Sequence, residues 1–251
     1  MTDWGVFLGV ATLLTVLLLG LARATSAGAA LPTRGDVEWL DSLPDEADHL
    51  AVGGTPAPTP APAVDLSSGA LFVNVLISHG LFLVLLTAAA IYAAVPAAAF
   101  GLSASPREIA IGVGFGLALA LLNTAAGSLA ESLGYAPGAE LRGLLAPDSR
   151  AGWLLLLGGT LPLVAVFEEA LFRGALIGAF ALGLGISPWA LAVVSSALFA
   201  IAHEIQGPVG VLVTGTLGFA LAAGYVVTDS LLVVVVAHYL VNAVELLARE
   251  R

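Results

Sequence analysis

The chain has 251 residues, 59% of them hydrophobic and only 10% charged, where soluble domains average about a quarter charged. A water-soluble fold of this length has no means of burying so much apolar surface, and the absence of cysteine excludes disulfides, zinc–thiolate sites, iron–sulfur clusters and thiol catalysis. A net charge of −10, with arginine supplying all eight basic residues, argues against nucleic acid or anionic headgroups as partners.

The apolar residues fall in blocks long enough to cross a bilayer, which takes roughly 20 residues for about 30 Å of hydrocarbon. Seven such segments are predicted, at Trp4–Ala22, Ala70–Val95, Glu108–Ala130, Trp153–Phe180, Pro188–His203, Val209–Val227 and Leu231–Leu247. The fold class they imply is all-α, a polytopic transmembrane helix bundle of about seven spanning helices. Ala27-Gly28-Ala29 follows the first segment, as in a cleaved leader. Its leading residues Met1-Thr2-Asp3 are acidic where a signal peptide is basic, so residues 1–24 are read as a first membrane helix.

Residues 25–69 form the one long polar stretch, with seven acids and then the run Gly53-Gly54-Thr55-Pro56-Ala57-Pro58-Thr59-Pro60-Ala61-Pro62. Alternating prolines favour an extended, polyproline-like linker. Trp39, Leu40 and Leu43 just before it suit a short interfacial helix. Residues 70–150 hold accessory transmembrane helices. Arginines flanking the spans set the orientation. With the amino terminus outside, Arg23, Arg34, Arg142, Arg150, Arg249 and Arg251 fall on the cytoplasmic side, and among the loop arginines only Arg107 falls outside. The expectation is a multi-pass protein of the cell membrane with its carboxyl terminus in the cytoplasm.

The fourth segment is too long for one straight crossing. From Trp153 to Ile186 its only charges are Glu168, Glu169 and Arg173, and a helix of that length rises about 51 Å. Gly158, Gly159 and Pro162 mark where a kink is expected, and a kink there brings Glu168 towards the depth of His203. The small-residue pairs Gly112/Gly116 and Gly174/Gly178 suit close helix crossings.

Ionisable side chains within a bilayer cost on the order of 3 kcal/mol each on insertion scales. This chain concentrates them after residue 150, in Glu168, Glu169, Arg173, His203 and His238, with Asn242 as a further polar group. Glu169 and Arg173, four apart, lie about 40° from each other round a helix and can pair. Glu168 points about 100° from Glu169 and has no local cation, which suits a general base or acid. The alternative is that all three charges form a structural cluster holding the bundle together.

His238 and Asn242, also four apart, put two hydrogen-bond donors on one helix face. A developing oxyanion needs such a pair, and so does plain interhelical hydrogen bonding. Phe199 and His203 repeat the spacing, and a lone histidine near a helix end serves structure as readily as catalysis. Glu204 follows it, but Gly207 stands where an H-E-x-x-H zinc helix needs its second histidine. His79, near Asn74 and Ser78, reads as a packing contact, and His49 in the linker as solvated.

The costly residues stand in three ordered motifs: Glu168-Glu169-Ala170-Leu171-Phe172-Arg173, Phe199-Ala200-Ile201-Ala202-His203 and His238-Tyr239-Leu240-Val241-Asn242. From Trp153 to Leu247 the chain resembles the CPBP family of intramembrane proteases, which comprises CAAX proteases and bacteriocin-processing enzymes and is also called the Abi family. Its signature is E-E-x-x-x-R, F-x-x-x-H and H-x-x-x-N, and each element is matched in full. The preceding residues are similar only in being membrane helices, as in the type II CAAX prenyl endopeptidases.

The resemblance implies a catalytic core over residues 151–247 and an endopeptidase acting on membrane-associated proteins or peptides. It implies that Glu168 activates water with help from His203, and that His238 and Asn242 hold the oxyanion. Glu169 and Arg173 would organise the fourth helix, with Phe199 in support. Metal dependence stays open: Glu168, His203 and His238 can supply three ligands to a divalent metal such as zinc, or a metal-free glutamate peptidase can rely on a desolvated carboxylate and the histidine and asparagine donors. The second is favoured because His238 already has a role beside Asn242. The implied partners are a membrane protein or peptide substrate and the lipid bilayer. A transporter is the weaker alternative, since inverted repeats and paired broken helices are lacking. An idle scaffold or immunity-like factor would be expected to have lost Glu168, His203 or His238.

Overall fold

The computed structural model describes residues 1–29, 68–134, 147 and 149–248. The polyproline linker, the Trp39–Leu43 stretch, His49, Arg34, Arg142, Arg249 and Arg251 lie outside them. Among the described residues there is no strand, and seven helices follow one another. They are α1 (Trp4–Ala29), α2 (Ser68–Tyr92), α3 (Pro106–Ser132), α4 (Arg150–Leu184), α5 (Pro188–Ala202), α6 (Gly207–Thr228) and α7 (Leu231–Ala248). The chain is thus the polytopic all-α bundle its hydropathy predicts. Six of the seven are long and apolar enough to cross a membrane. The exception is α5, whose 15 residues rise only about 22 Å, short of the roughly 30 Å of a hydrocarbon core.

Local chemistry sets the helix ends. Ser105 caps α3, accepting the Glu108 backbone N–H at 3.2 Å, while Pro106 stands at the helix start where its missing N–H costs nothing. The Glu108 carboxylate in turn accepts from the Ser103 and Ser105 hydroxyls, a reciprocal cap. Ser149 caps α4 by accepting from the Gly152 N–H at 3.1 Å. At its other end Gly185, with φ of 68°, turns the chain through the left-handed region that glycine enters without a Cβ penalty. Pro188 then opens α5.

The long helix α4 leaves α geometry twice, at Leu156–Thr160 and Ala170–Ala179, where the backbone widens to π-helix. The first widening precedes Pro162, which offers no N–H to the Gly158 carbonyl and whose ring would crowd it. The interruption expected over Gly158–Pro162 therefore takes the form of a π turn. The second widening has no proline to explain it. Every residue of it but Gly178 is buried, and its backbone is satisfied partly from outside: the Ser195 hydroxyl of α5 donates to the Phe172 carbonyl at 2.6 Å. In lipid, a helix can open only where a neighbour supplies such a partner.

Small residues set the depth of α7. A Cβ on Gly112 would lie 2.8 Å from the Val233 carbonyl oxygen, and one on Gly116 would lie 2.7 Å from Ala237 Cα. α3 and α7 are therefore in backbone contact, as in small-xxx-small crossings, immediately beside His238. The pair Gly174/Gly178 does something else. It seats the short turn Ala97–Phe100, with the Phe100 ring against Gly174 and the Ala99 carbonyl against Gly178. α2 lies at the periphery and exposes Val73, Ile77, Leu81, Val84 and Leu85, a surface suited to lipid.

Candidate active site

The polar centre is built outward from α4. Glu169 and Arg173 are both 0% exposed and meet at 2.9 Å between Oε1 and Nη1. The other guanidinium nitrogen donates to the Gly218 carbonyl of α6 at 2.8 Å. Arg173 also lies over the Phe199 ring of α5, its Cζ 4.8 Å from the centroid, a desolvated cation–π contact. Glu169 Oε1 accepts a second hydrogen bond, from His238 Nδ1 of α7, at 2.7 Å. One ion pair thus fastens α4 to α5, α6 and α7.

Phe199 is the wedge among these groups. Its ring stands perpendicular to Phe172 at 5.1 Å, and its centroid is 4.5 Å from that of His203 and 6.0 Å from that of His238. A Cβ at Gly218 would come 2.9 Å from the Phe199 ring, so the wedge needs glycine opposite it.

Glu168, the adjacent residue, turns away from this hub as the 100° step requires. Its Oε2 is 3.7 Å from His238 Nε2 and its Oε1 is 3.9 Å from His79 Nε2 of α2. Both gaps exceed a direct N–H···O hydrogen bond. His203 stands on the other side of Phe199, its ring centroid 4.5 Å from the phenyl centroid. Oε2 is buried with no hydrogen-bond partner. Leaving a buried acceptor unsatisfied costs about 1–3 kcal/mol, more for a charged group, so the position marks where a donor such as water belongs.

All three histidines are anchored through Nδ1. His203 bonds the Phe199 carbonyl at 2.7 Å, His79 the Val75 carbonyl at 3.1 Å, and His238 the Glu169 carboxylate. A carbonyl can only accept, so Nδ1 of His203 and of His79 carries the hydrogen, and the neutral ring keeps its lone pair on Nε2. Asn242 follows His238 by one turn of α7 and is half-buried. Its amide has no protein partner among the described residues.

The structure therefore brings Glu168, Glu169, Arg173, Phe199 and His238 into one connected cluster, with His203 beside it and Asn242 further along α7. It also places His79 at this cluster: the ring packs edge-on against Phe167, as expected of a packing contact, and its Nε2 faces Glu168. His79 is the only histidine in the first three predicted spans, and Asn123 is a further polar residue there. Asn123 has its own explanation in a 3.0 Å hydrogen bond to Glu245 between α3 and α7.

No group of three or more histidine, aspartate or glutamate side chains among the described residues is disposed to hold a metal ion as placed. The Nδ1 hydrogen bonds do not bar one, because each leaves Nε2 available, as in histidines anchored by a carboxylate or carbonyl beside a metal. Glu168, His203 and His238 are neighbours without being a preassembled ligand set.

Residues 150–244 match the family model described as Type II CAAX prenyl endopeptidase Rce1-like. The matched stretch holds all three motifs and leaves out α1, α2 and α3, and with them His79. No curated protein and no solved structure matches the chain.

Proposed function

Residues 150–244 being a CAAX-protease-family domain within a multi-pass membrane protein, we propose that the chain is an intramembrane endopeptidase that hydrolyses peptide bonds of membrane-associated proteins or peptides. The observation that carries this reading is the Glu168 carboxylate, buried, with one oxygen unpartnered and histidine Nε2 atoms on two sides of it. A carboxylate so placed can take a proton from a water lodged against it.

In this mechanism Glu168 removes a proton from water as the water oxygen attacks the scissile carbonyl, and the Nε2 lone pair of His203 steadies that water. His238 in its imidazolium form donates Nδ1–H to Glu169 and offers Nε2–H to the oxyanion, with the free Asn242 amide as the second donor. Glu169, Arg173 and Phe199 hold these groups without touching substrate. Residues 151–247 act as the catalytic core, and residues 70–150, which hold α3 and nearly all of α2, as accessory helices.

The amino terminus is placed outside and the carboxyl terminus in the cytoplasm. Arg23, late in α1, lies 3.8 Å from Glu204, after α5, so both helices finish on one face, which is the cytoplasmic one in this orientation.

The test is a peptidomic comparison of membranes bearing the wild-type chain and Glu168→Gln, in which fragments present only with wild type identify substrates. No difference between the two counts against the reading. We take the chemistry to be metal-free. Purified protein should keep cleaving in chelator, and His238→Ala and Asn242→Ala should each depress turnover by about 10²–10³, the usual effect of losing one oxyanion donor. Stoichiometric zinc in an active preparation, lost with activity on chelation, would replace this account with the metal-dependent one.

A further inference from the structure

α2 is otherwise an apolar, lipid-facing helix, and a histidine within it is a cost that needs a return. The His79 ring is tightly oriented. Nδ1 is tied to the Val75 carbonyl and lies 3.3 Å from the Ser78 hydroxyl, and the ring stands edge-on to Phe167 at 5.2 Å between centroids. Those contacts aim Nε2 at Glu168 Oε1, with the His79 side chain 17% exposed. At 3.9 Å the two atoms stand just beyond hydrogen-bond range, and a small side-chain movement or one flanking water would connect them.

Amide hydrolysis needs a proton at the departing nitrogen as well as a base for water. The other histidines are occupied: His238 is held by Glu169 and faces the oxyanion, and His203 attends the attacking water. Resting on the peptidase reading above, we propose that His79 is a further catalytic residue, which receives the water proton from Glu168 and delivers it to the leaving amine.

The steps balance without any outside reagent. The water O–H breaks and a C–O bond forms, and the proton goes to Glu168 while the carbonyl becomes an oxyanion. Glu168 then passes that proton from Oε1 to the His79 Nε2 lone pair. The resulting imidazolium protonates the nitrogen as the C–N bond breaks and the oxyanion collapses to a carboxyl group. Both side chains return to their starting forms.

The experiment compares leaving groups. A peptide cleaved by the wild-type protein is selected from a quenched-fluorescence library in detergent, then remade as a depsipeptide with an ester at the scissile bond. An ester oxygen departs with little need of a proton. His79→Gln should lower kcat on the amide by about 10²–10³, within the usual range for a general acid, and on the ester by less than about tenfold, with KM unchanged on both. His79→Asn and His79→Leu are assayed beside it. The wild-type protein supplies a test without substitution: its rate on peptide anilides should depend only weakly on leaving-group basicity. Equal losses on amide and ester, no loss, or a steep dependence in the wild type would reduce His79 to a packing contact. Absence of Glu168-dependent cleavage in the wild type removes the peptidase reading itself, and this inference with it.

Discussion

Glu168→Gln is expected to lower cleavage by about 10³-fold or more, in the upper part of the range for a lost general base, while leaving the amount of folded, inserted protein unchanged. The amide keeps the shape of the carboxylate and loses its basicity. The fold has little to lose at this position, because the nearest histidine nitrogens stand at 3.7 and 3.9 Å and Oε2 has no partner. Turnover of a library-derived peptide, read beside thermal unfolding in detergent, separates the two quantities. A variant that keeps a tenth of wild-type turnover would show that another group activates water.

The second large effect lies one residue away and is of the opposite kind. Glu169→Gln should reduce folded protein sharply, because Arg173 would remain fully buried without its counter-charge. Breaking one side of a buried pair costs about 3–5 kcal/mol, a large share of the roughly 5–15 kcal/mol that stabilises a typical domain. Arg173→Met should be at least as damaging, since it releases Glu169, the Gly218 carbonyl and the face of Phe199 together. The double variant Glu169→Gln/Arg173→Met should recover part of the loss, because neutralising both partners removes the stranded charge. Expression level and detergent melting temperature report the result. If Glu168→Gln and Glu169→Gln match in both abundance and activity, the division of labour between the glutamates is wrong.

Much of this site could be read from spacing because its central pair is local. Glu169 and Arg173 sit four residues apart on one helix, and that contact forms even though Arg173 lies in a π segment. The first π turn was legible for a similar reason, since Pro162 disturbs a carbonyl four residues back whatever surrounds it. The second was not. Its support comes from Ser195 and Gly218 on other helices, and no local pattern encodes those contacts. Gly112/Gly116 and Gly174/Gly178 have identical spacing but different partners, a helix in one case and a short turn in the other. The approach of His79 to Glu168 was hidden for the same cause. Its meaning depends on where α2 docks against α4, which periodicity along α2 cannot specify.

The brevity of α5 has a consequence for the lipid around it. Its neighbours match a full hydrocarbon core, yet α5 itself presents Trp189, Val193, Val194 and Ile201 to the surroundings over a rise of about 22 Å. Acyl chains next to that face must shorten or splay to meet it, and such hydrophobic mismatch costs fractions of a kcal/mol per Å. The strain falls on the helix whose last residue is followed by His203. In vesicles of defined phosphatidylcholines, turnover should be highest in short-chain bilayers and decline as the chains lengthen, with the amount of inserted protein held constant. Membrane thickness then acts on this protein as an allosteric ligand does, and a substrate would be cut most readily where the bilayer is already thin.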